Sequence, residues 1–467
     1  MSSLLKTLFG TKDEGAAIVT TPIASATTPN EHSATLPPSL PALPVIPTKP
    51  LDEKIPTLLA QMNRGLVARE DQASMLLLAA LAGENALLFG PPGTGKSLLA
   101  RRLKDCFAEG QYFEYLLTKF SAPEDLFGPI SLKALEQDRY ERIHVRHLPS
   151  AQIGFLDETF KANSAILNSL LTILNEREFD TGSGRVPTNL RSVVGASNEL
   201  PREPELMALY DRFIVRLAVG RLNDDDLLRM LSSQAATAGL NPTELATYQL
   251  TAADLKTIQD AAVNVKVPEE VDQLLVSLRT ACAGQNPPID ISERRLLKMR
   301  ELLKVAAVTA GRYEVALVDT WVLRHCAWQA ADQAGWLARW LDQQMEAEPV
   351  DFSELQDQLQ MEEQALRNNE AKSRGGNHFT ESEINAFKAE VQEIAELARE
   401  SKTEIVARLA GVHQAVGRSP WVPTSYAEVV TKGLQANLRG IETVISKAER
   451  MLEEYRRMPR IEDHVAA

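Results

Sequence analysis

Eight consecutive residues, Gly90-Pro91-Pro92-Gly93-Thr94-Gly95-Lys96-Ser97, have the composition and spacing needed to hold the phosphates of a nucleotide. The glycines let the backbone turn its amide N–H groups onto an anion, and a helix starting at the end of the loop adds the positive end of its dipole. Lys96 is spaced to reach the β and γ phosphates, and the Ser97 hydroxyl to ligate magnesium. Such a loop binds ATP without cleaving it. Cleavage calls for a carboxylate pair at the end of a second strand, and Asp157-Glu158 follows the apolar run Ile153-Gly154-Phe155-Leu156. Asp157 is expected to hold magnesium, directly or through water. Glu158 is expected to accept the proton of the water that attacks the γ phosphorus.

These residues need a parallel sheet whose carboxyl-terminal edge carries them, because ligands of open α/β sheets bind outside that edge. From Ile55 to about Gly220, apolar runs of strand length alternate with helical ones, which predicts such a domain over residues 51–220. Strands are expected at Ala86 to Phe89, Tyr112 to Leu117, Ile153 to Leu156, Arg191 to Gly195 and Phe213 to Val219. A helical lid and extension follow over 221–345, with segments at Asp224 to Ala238, Ala252 to Ala262 and Glu269 to Ala283. Val315 to Leu341 reads as further helix, with Trp321, Trp328, Trp336 and Trp340 on one broad packing face.

Residues 346–467 read as an arm of three long helices, in a bundle or coiled coil, separated at Arg374-Gly375-Gly376-Asn377 and Ser419 to Pro423. In the middle helix Phe387, Val391, Ile394 and Leu397 recur at the spacing of a packing seam. Residues 1–50, rich in Pro, Thr and Ala, cannot bury enough surface to fold and are expected to be a disordered tail. Its Leu4-Leu5-Lys6-Thr7-Leu8-Phe9 tip is either a frayed terminus or a helical turn that docks on a partner or membrane surface.

With 467 residues the chain exceeds a single core, and its net charge of −13 argues against passive nucleic-acid binding. Cys106, Cys282 and Cys326 stand far apart, implying neither disulfide framework nor zinc site and fitting a reducing cytoplasm. No apolar run is long enough to span a bilayer, and no signal peptide is recognisable.

Beyond the loop and the carboxylates, the chain resembles the AAA+ ATPases, more narrowly their MoxR branch, with RavA-type proteins nearest. The resemblance covers roughly residues 55 to 340. It rests on Gly65-Leu66-Val67 with Arg69-Glu70, Phe120 to Pro129, Arg139-Tyr140-Glu141-Arg142, Ala165 to Leu171, Leu174-Asn175-Glu176-Arg177, Ala196 to Pro201 and Ala208 to Arg212. It implies that Asn198 is sensor 1, orienting the attacking water against the γ phosphate. It implies that Arg212 is the arginine finger, reaching the nucleotide of a neighbouring subunit. It implies that Arg294 is sensor 2, carried by the lid onto the same phosphates, with Arg295 the alternative if the register slips by one. An arginine supplied from outside the subunit requires a ring, which for AAA+ proteins usually means a hexamer.

By analogy with helicase-like branches, two segments face the pore: the insertion around Ser131 to Leu148, and a hairpin from Glu178-Phe179-Asp180 to Arg185-Val186-Pro187 around the Thr181-Gly182-Ser183-Gly184 turn. His144 and His147 in the first segment lack the companions a metal site needs. The compact β-rich insertion that RavA-type proteins carry in their C-terminal helical domain is missing here, so lysine decarboxylase docking is not implied.

The expectation is an ATP- and magnesium-dependent ring that remodels a protein client, chaperone-like, with a von Willebrand factor A domain partner. A nucleotide-controlled scaffold is the alternative, and a helicase-like DNA motor a third reading that the acidic balance disfavours.

Overall fold

The alternation of apolar runs resolves into a doubly covered sheet in a computed structural model that describes residues 49–108, 110–181, 184–232, 240–345, 352–374 and 379–458. Outside the described residues lie the expected tail through residue 48 with its Leu4 to Phe9 segment, Gly182 and Ser183 of the hairpin turn, residues 233–239, and residues 375–378 with most of the first arm break.

Helices α1 (Leu51–Asn63) and α2 (Glu70–Ala82) precede β1 (Asn85–Phe89), and the phosphate loop leads into α3 (Lys96–Lys104). Then come β2 (Tyr112–Leu116), short α4 (Pro123–Phe127) and α5 (Leu132–Leu135), β3 (Ile153–Asp157) and α6 (Ser164–Glu176). The expected hairpin forms as β4 (Glu178–Asp180) and β5 (Arg185–Pro187), antiparallel with Phe179 opposite Val186. The domain closes with β6 (Ser192–Ser197), α7 (Pro204–Asp211) and β7 (Phe213–Ala218).

The five longer strands are all parallel in the order β2-β3-β6-β1-β7. Side chains alternate between faces along a strand. Thus Ala86 and Leu88 of β1 join one buried cluster with α1, α2 and α3, while Leu87 joins another with α6 and α7. Both faces are buried, which is why these strands read as continuous apolar runs.

The lid comprises α8 (Asp224–Ser232), α9 (Pro242–Tyr248), α10 (Ala252–Val263), α11 (Glu269–Ala283) and α12 (Glu293–Thr309). Ser292 caps α12, its hydroxyl accepting from the Arg295 N–H at 3.2 Å. The continuous helix expected over Val315 to Leu341 is interrupted: a 3₁₀ helix spans Leu317–His325 and α13 begins only at Gln333 (Gln333–Met345). The Gln333 side chain accepts from the Gln329 and Ala330 N–H groups, capping a fresh start. The tryptophans still pack: Trp321 and Trp328 are buried, and Trp336 and Trp340 lie against the same core.

The arm is α14 (Ser353–Arg374), α15 (Glu381–Arg418) and α16 (Tyr426–Arg456), with α15 and α16 packed lengthwise. Val391 and Ile394 sit in its seam as expected, but Leu397 is outward-facing, and Ala395 and Ala398 take the close-contact positions. Small side chains there let the two long helices approach.

The joint between α15 and α16 anchors the arm to the lid. Trp421 is 1% exposed, and its indole N–H donates to Thr309 Oγ1 at the end of α12 at 2.8 Å. Trp421→Ala removes this bond and leaves a cavity, a loss of about 3–5 kcal/mol. The thermal unfolding midpoint is expected to fall, with Trp421→Phe between it and the wild type; an unchanged midpoint would show that the joint does not hold the arm.

Candidate active site

The phosphate loop is held by its neighbours in the sheet. The Gly90 N–H donates to the Ser197 carbonyl at 3.0 Å, and a Cβ at Gly90 would stand 2.2 Å from the Val219 carbonyl oxygen. Gly93 and Gly95 have φ of 78° and 92°, a region open to glycine, and Gly95 caps α3. Lys96 is buried, its ammonium donating to the Gly90 and Pro91 carbonyls at 2.6 and 2.9 Å. Burial lowers its pKa, although the Asp157 and Glu158 carboxylates oppose the shift. A desolvated ammonium resting on two carbonyls can exchange them for phosphate oxygens, so the loop fits a nucleotide triphosphate.

Parallel register brings the other groups to this edge. Gly195 of β6 lies opposite Leu156 of β3, and Ser197 lies opposite Phe89 of β1. Asp157, Glu158 and the exposed Asn198 therefore leave the sheet beside the loop. The Asp157 carboxylate accepts from the Glu158 N–H at 2.9 Å, and Glu158 has a left-handed backbone, φ 50°, unusual for a non-glycine residue. That turn is pinned by buried Thr159, whose hydroxyl donates to the Leu156 carbonyl at 2.7 Å and accepts from the Ala196 N–H at 3.1 Å. Glu158 also pairs with Lys161 at 3.4 Å.

Arg212 and Arg294 lie elsewhere. Arg212 immediately precedes β7, and Arg294 opens α12. Both line a cavity of about 220 Å³ that also includes Asn85, the first residue of β1. This is the amino-terminal edge of the sheet, about 13 Å from the phosphate loop along a five-residue strand. Arg294 donates to Asn175 Oδ1 at 2.8 Å and to the Asp211 carboxylate at 2.6 Å. Burial pushes the Asp211 pKa up, but the Arg295 and Arg294 guanidiniums outweigh it and hold the pKa below the ordinary value.

Within one subunit the lid therefore places Arg294 at the amino-terminal edge of the sheet, away from the Gly90 to Ser97 loop. The reason is Arg295. Its buried guanidinium donates to the carbonyls of Asp211, Phe213, Ile214 and Cys326 at 2.6–3.2 Å, fixing the start of α12 at the amino-terminal edge. Fully committed, Arg295 is not available as the alternative to Arg294.

Comparison with known proteins shows where this architecture belongs. Residues 53–260 match the family model described as the MoxR domain in the MoxR-vWA-beta-propeller ternary systems, and residues 270–341 match an AAA lid domain. The chain belongs to the MoxR-type AAA family.

Two uncharacterized proteins of Methanocaldococcus jannaschii are each 35% identical to this MoxR-type chain, over 60% and 58% of it and 71% of their own lengths. A structural protein of Acidianus two-tailed virus is 26% identical over 41% of this chain and 32% of its own. In fold, a candidate ATPase from Cytophaga hutchinsonii superimposes with a TM-score of 0.50 at 17% identity, covering 63% of this chain and 94% of that one.

Membership of this MoxR-type family implies ATP binding. Ser97 and Asp157 are the residues that could hold magnesium, with phosphates and water completing its shell, as is usual for this ion. Among the described residues no group of three His, Cys, Asp or Glu could hold a metal, and His144 and His147 contact backbone carbonyls of their own segment. No described helix is long and apolar enough to cross a membrane.

One residue that holds the phosphate loop escaped assignment from sequence. Arg69 donates to the Gly220 carbonyl at 2.6 Å and the Thr94 carbonyl at 3.3 Å, tying the segment before α2 to the loop. The Arg69-Glu70 motif carried that signal without showing what it touched. Gly90→Ala must displace the loop from Val219, at a strain cost that weakens ATP binding by about tenfold or more. Titration with a fluorescent ATP analogue measures it; unaltered affinity would mean that the loop tolerates the displacement.

Proposed function

We propose that this chain is an ATP-hydrolysing ring protein that remodels or assists assembly of a protein client, together with a von Willebrand factor A domain partner. The observation that carries this reading is the division of the chemistry between opposite edges of one sheet. The loop, Asp157, Glu158 and Asn198 occupy the carboxyl-terminal edge, and Arg212 and Arg294 the amino-terminal edge. One subunit cannot bring its arginines to its own nucleotide. A head-to-tail contact that closes by rotation can do so at every interface, and a hexamer is the expected closure.

In such a ring, ATP lies on the Gly90 to Ser97 loop with Lys96 at the β and γ phosphates. Ser97 and Asp157, the latter directly or through water, would hold magnesium, which would neutralise phosphate charge. Asn198 orients a water, Glu158 takes its proton, and ATP and water become ADP and phosphate. The neighbour's Arg212 and Arg294 stabilise charge on the transferring phosphoryl group.

A protein client is favoured over nucleic acid by the insertion around Ser131 to Leu148. It exposes Leu132, Leu135, Ile143 and Val145, an apolar surface suited to polypeptide. The partner assignment extends the description of the family to this chain, and the arm is a contact surface available to it. Residence in the cytoplasm fits three buried thiols with no disulfide among them.

Glu158→Gln is expected to retain ATP and a stable ring while losing hydrolysis; appreciable remaining turnover would remove Glu158 as the base. Arg212→Ala and Arg294→Ala should each bind ATP normally and lose turnover by about 1,000-fold or more. Lys96→Ala subunits, mixed with either, should restore part of it. Failure of both mixtures would refute completion of the site by a neighbour.

A further inference from the structure

The Leu174-Asn175-Glu176-Arg177 segment, distinctive in sequence, has so far been given no chemistry. It lies where α6 ends and the β4–β5 hairpin begins. Arg177 closes the helix in a left-handed conformation, φ 57°, and its carbonyl accepts from the Thr188 N–H at 2.8 Å and the Thr188 hydroxyl at 3.1 Å just past β5. The next contacts lead toward the arginines. One amino group of Arg177 donates to the Gly83 carbonyl at 2.7 Å and to Asn85 Oδ1 at 3.0 Å. Asn85 then uses its own amide N–H to hold the Arg212 carbonyl at 3.3 Å, while its Oδ1 also accepts from the Val193 N–H at 3.1 Å. Two residues earlier, Asn175 Oδ1 accepts from Arg294 at 2.8 Å. A single helix terminus therefore reaches both arginines by separate routes.

The electrostatics of the cavity indicate what this arrangement is poised for. Arg177, Arg191, Arg212, Arg294 and Lys298 line it, against one lining carboxylate, Glu84, already paired with Lys298 at 2.7 Å. Arg191 is occupied by the Ala80 and Leu81 carbonyls. Nη1 of Arg177 and Nε of Arg212 are buried without a hydrogen-bond partner. Even with Asp211, which pairs with Arg294 at 2.6 Å and with Arg212 at 3.7 Å, cationic groups outnumber carboxylates, an excess that an arriving polyanion relieves. The identity of Asn175 fits the same logic. A neutral amide orients Arg294 but releases it to phosphate more readily than a second carboxylate would, since charge-assisted bonds are roughly twice as strong.

We propose that Asn175 and Arg177 are positioning residues, Asn175 directly and Arg177 through Asn85, that hold Arg294 and Arg212 ready for the nucleotide of the adjacent subunit. This rests on the ring reading above. It adds that the terminus of α6, which also holds hairpin residue Arg185 through Glu176 at 2.6 Å, ties the arginine edge to the hairpin.

The test uses full-length protein. Arg177→Ala should bind a fluorescent ATP analogue normally and lower kcat by about tenfold or more with KM for ATP unchanged, the signature of misplaced groups acting after binding. Arg177→Lys, whose ammonium can donate to the same two oxygens, should recover most of the turnover. Asn175→Asp, a change at an exposed position, should lower kcat by about fivefold by retaining Arg294. Because the defect lies on the face offered to a neighbour, adding Lys96→Ala subunits should restore turnover to Arg177→Ala and to Asn175→Asp. Wild-type kcat in both variants overturns the proposal. So does restoration of Arg212→Ala by Lys96→Ala subunits without restoration of these two. If Lys96→Ala subunits restore none of the three, the ring reading has failed and this proposal with it. If Arg177→Ala does not bind ATP, Asn175→Asp alone decides.

Discussion

The placement of Arg294, and of the lid that carries it, depends on one buried guanidinium. Arg295 is surrounded by backbone carbonyls from the α7–β7 junction and from Cys326 after the 3₁₀ helix. A charge removed from water is tolerable only when its donors are satisfied, and here peptide oxygens perform that service. The consequence is geometric. With Arg295 fixed, the preceding residue can only point along the amino-terminal edge of the sheet, where Arg212 and Asp211 stand. The lid is thus stapled to the end of the sheet remote from the phosphate loop, and the division of chemistry between two edges follows from that staple.

The opposite edge is organised by different means. Its buried charge, Lys96, rests on carbonyls of its own loop rather than joining two elements, so this edge relies on strand register and on Thr159, which bridges β3 and β6 directly beneath the carboxylates. Gly195 makes room for this bridge, since a Cβ there would stand 2.9 Å from both Thr159 Oγ1 and the Phe213 ring. The left-handed backbone of Glu158 is the conformational cost of placing a carboxylate at the mouth of the site, and the Thr159 bonds hold it there.

The sequence made the sheet and the phosphate loop legible because their signals are local. Parallel strands buried on both faces appear as short apolar runs, and each of the five was located within two residues of its observed ends. Glycine, lysine and serine spacing in the loop is equally local. The position of Arg294 was not legible, because it depends on where a lid helix docks, and that is decided by Arg295 meeting carbonyls more than eighty residues away in sequence. The break before α13 was hidden by tryptophans whose spacing suits one helix but whose packing is shared between two elements. Leu397 misled for a related reason: in a long helix facing a close partner, alanines form the seam. Asn175 and Arg177 stood in a recognisable motif, but only the fold shows that Asn175 touches Arg294 and that Arg177 reaches Arg212 through Asn85.

Helix α12 has a mechanical consequence. Its first turn carries Arg294 and the Arg295 staple, and its last residue, Thr309, receives the indole of Trp421 at the root of the arm. Between them runs an uninterrupted rod of seventeen residues, about 25 Å long. A tilt of about ten degrees about the staple would swing the Thr309 end by about 4 Å. From the joint that holds Trp421, α15 runs for thirty-eight residues, about 57 Å. A displacement of the guanidinium end too small to break the staple would thus be read at the far tip of the arm as a stroke of many ångströms.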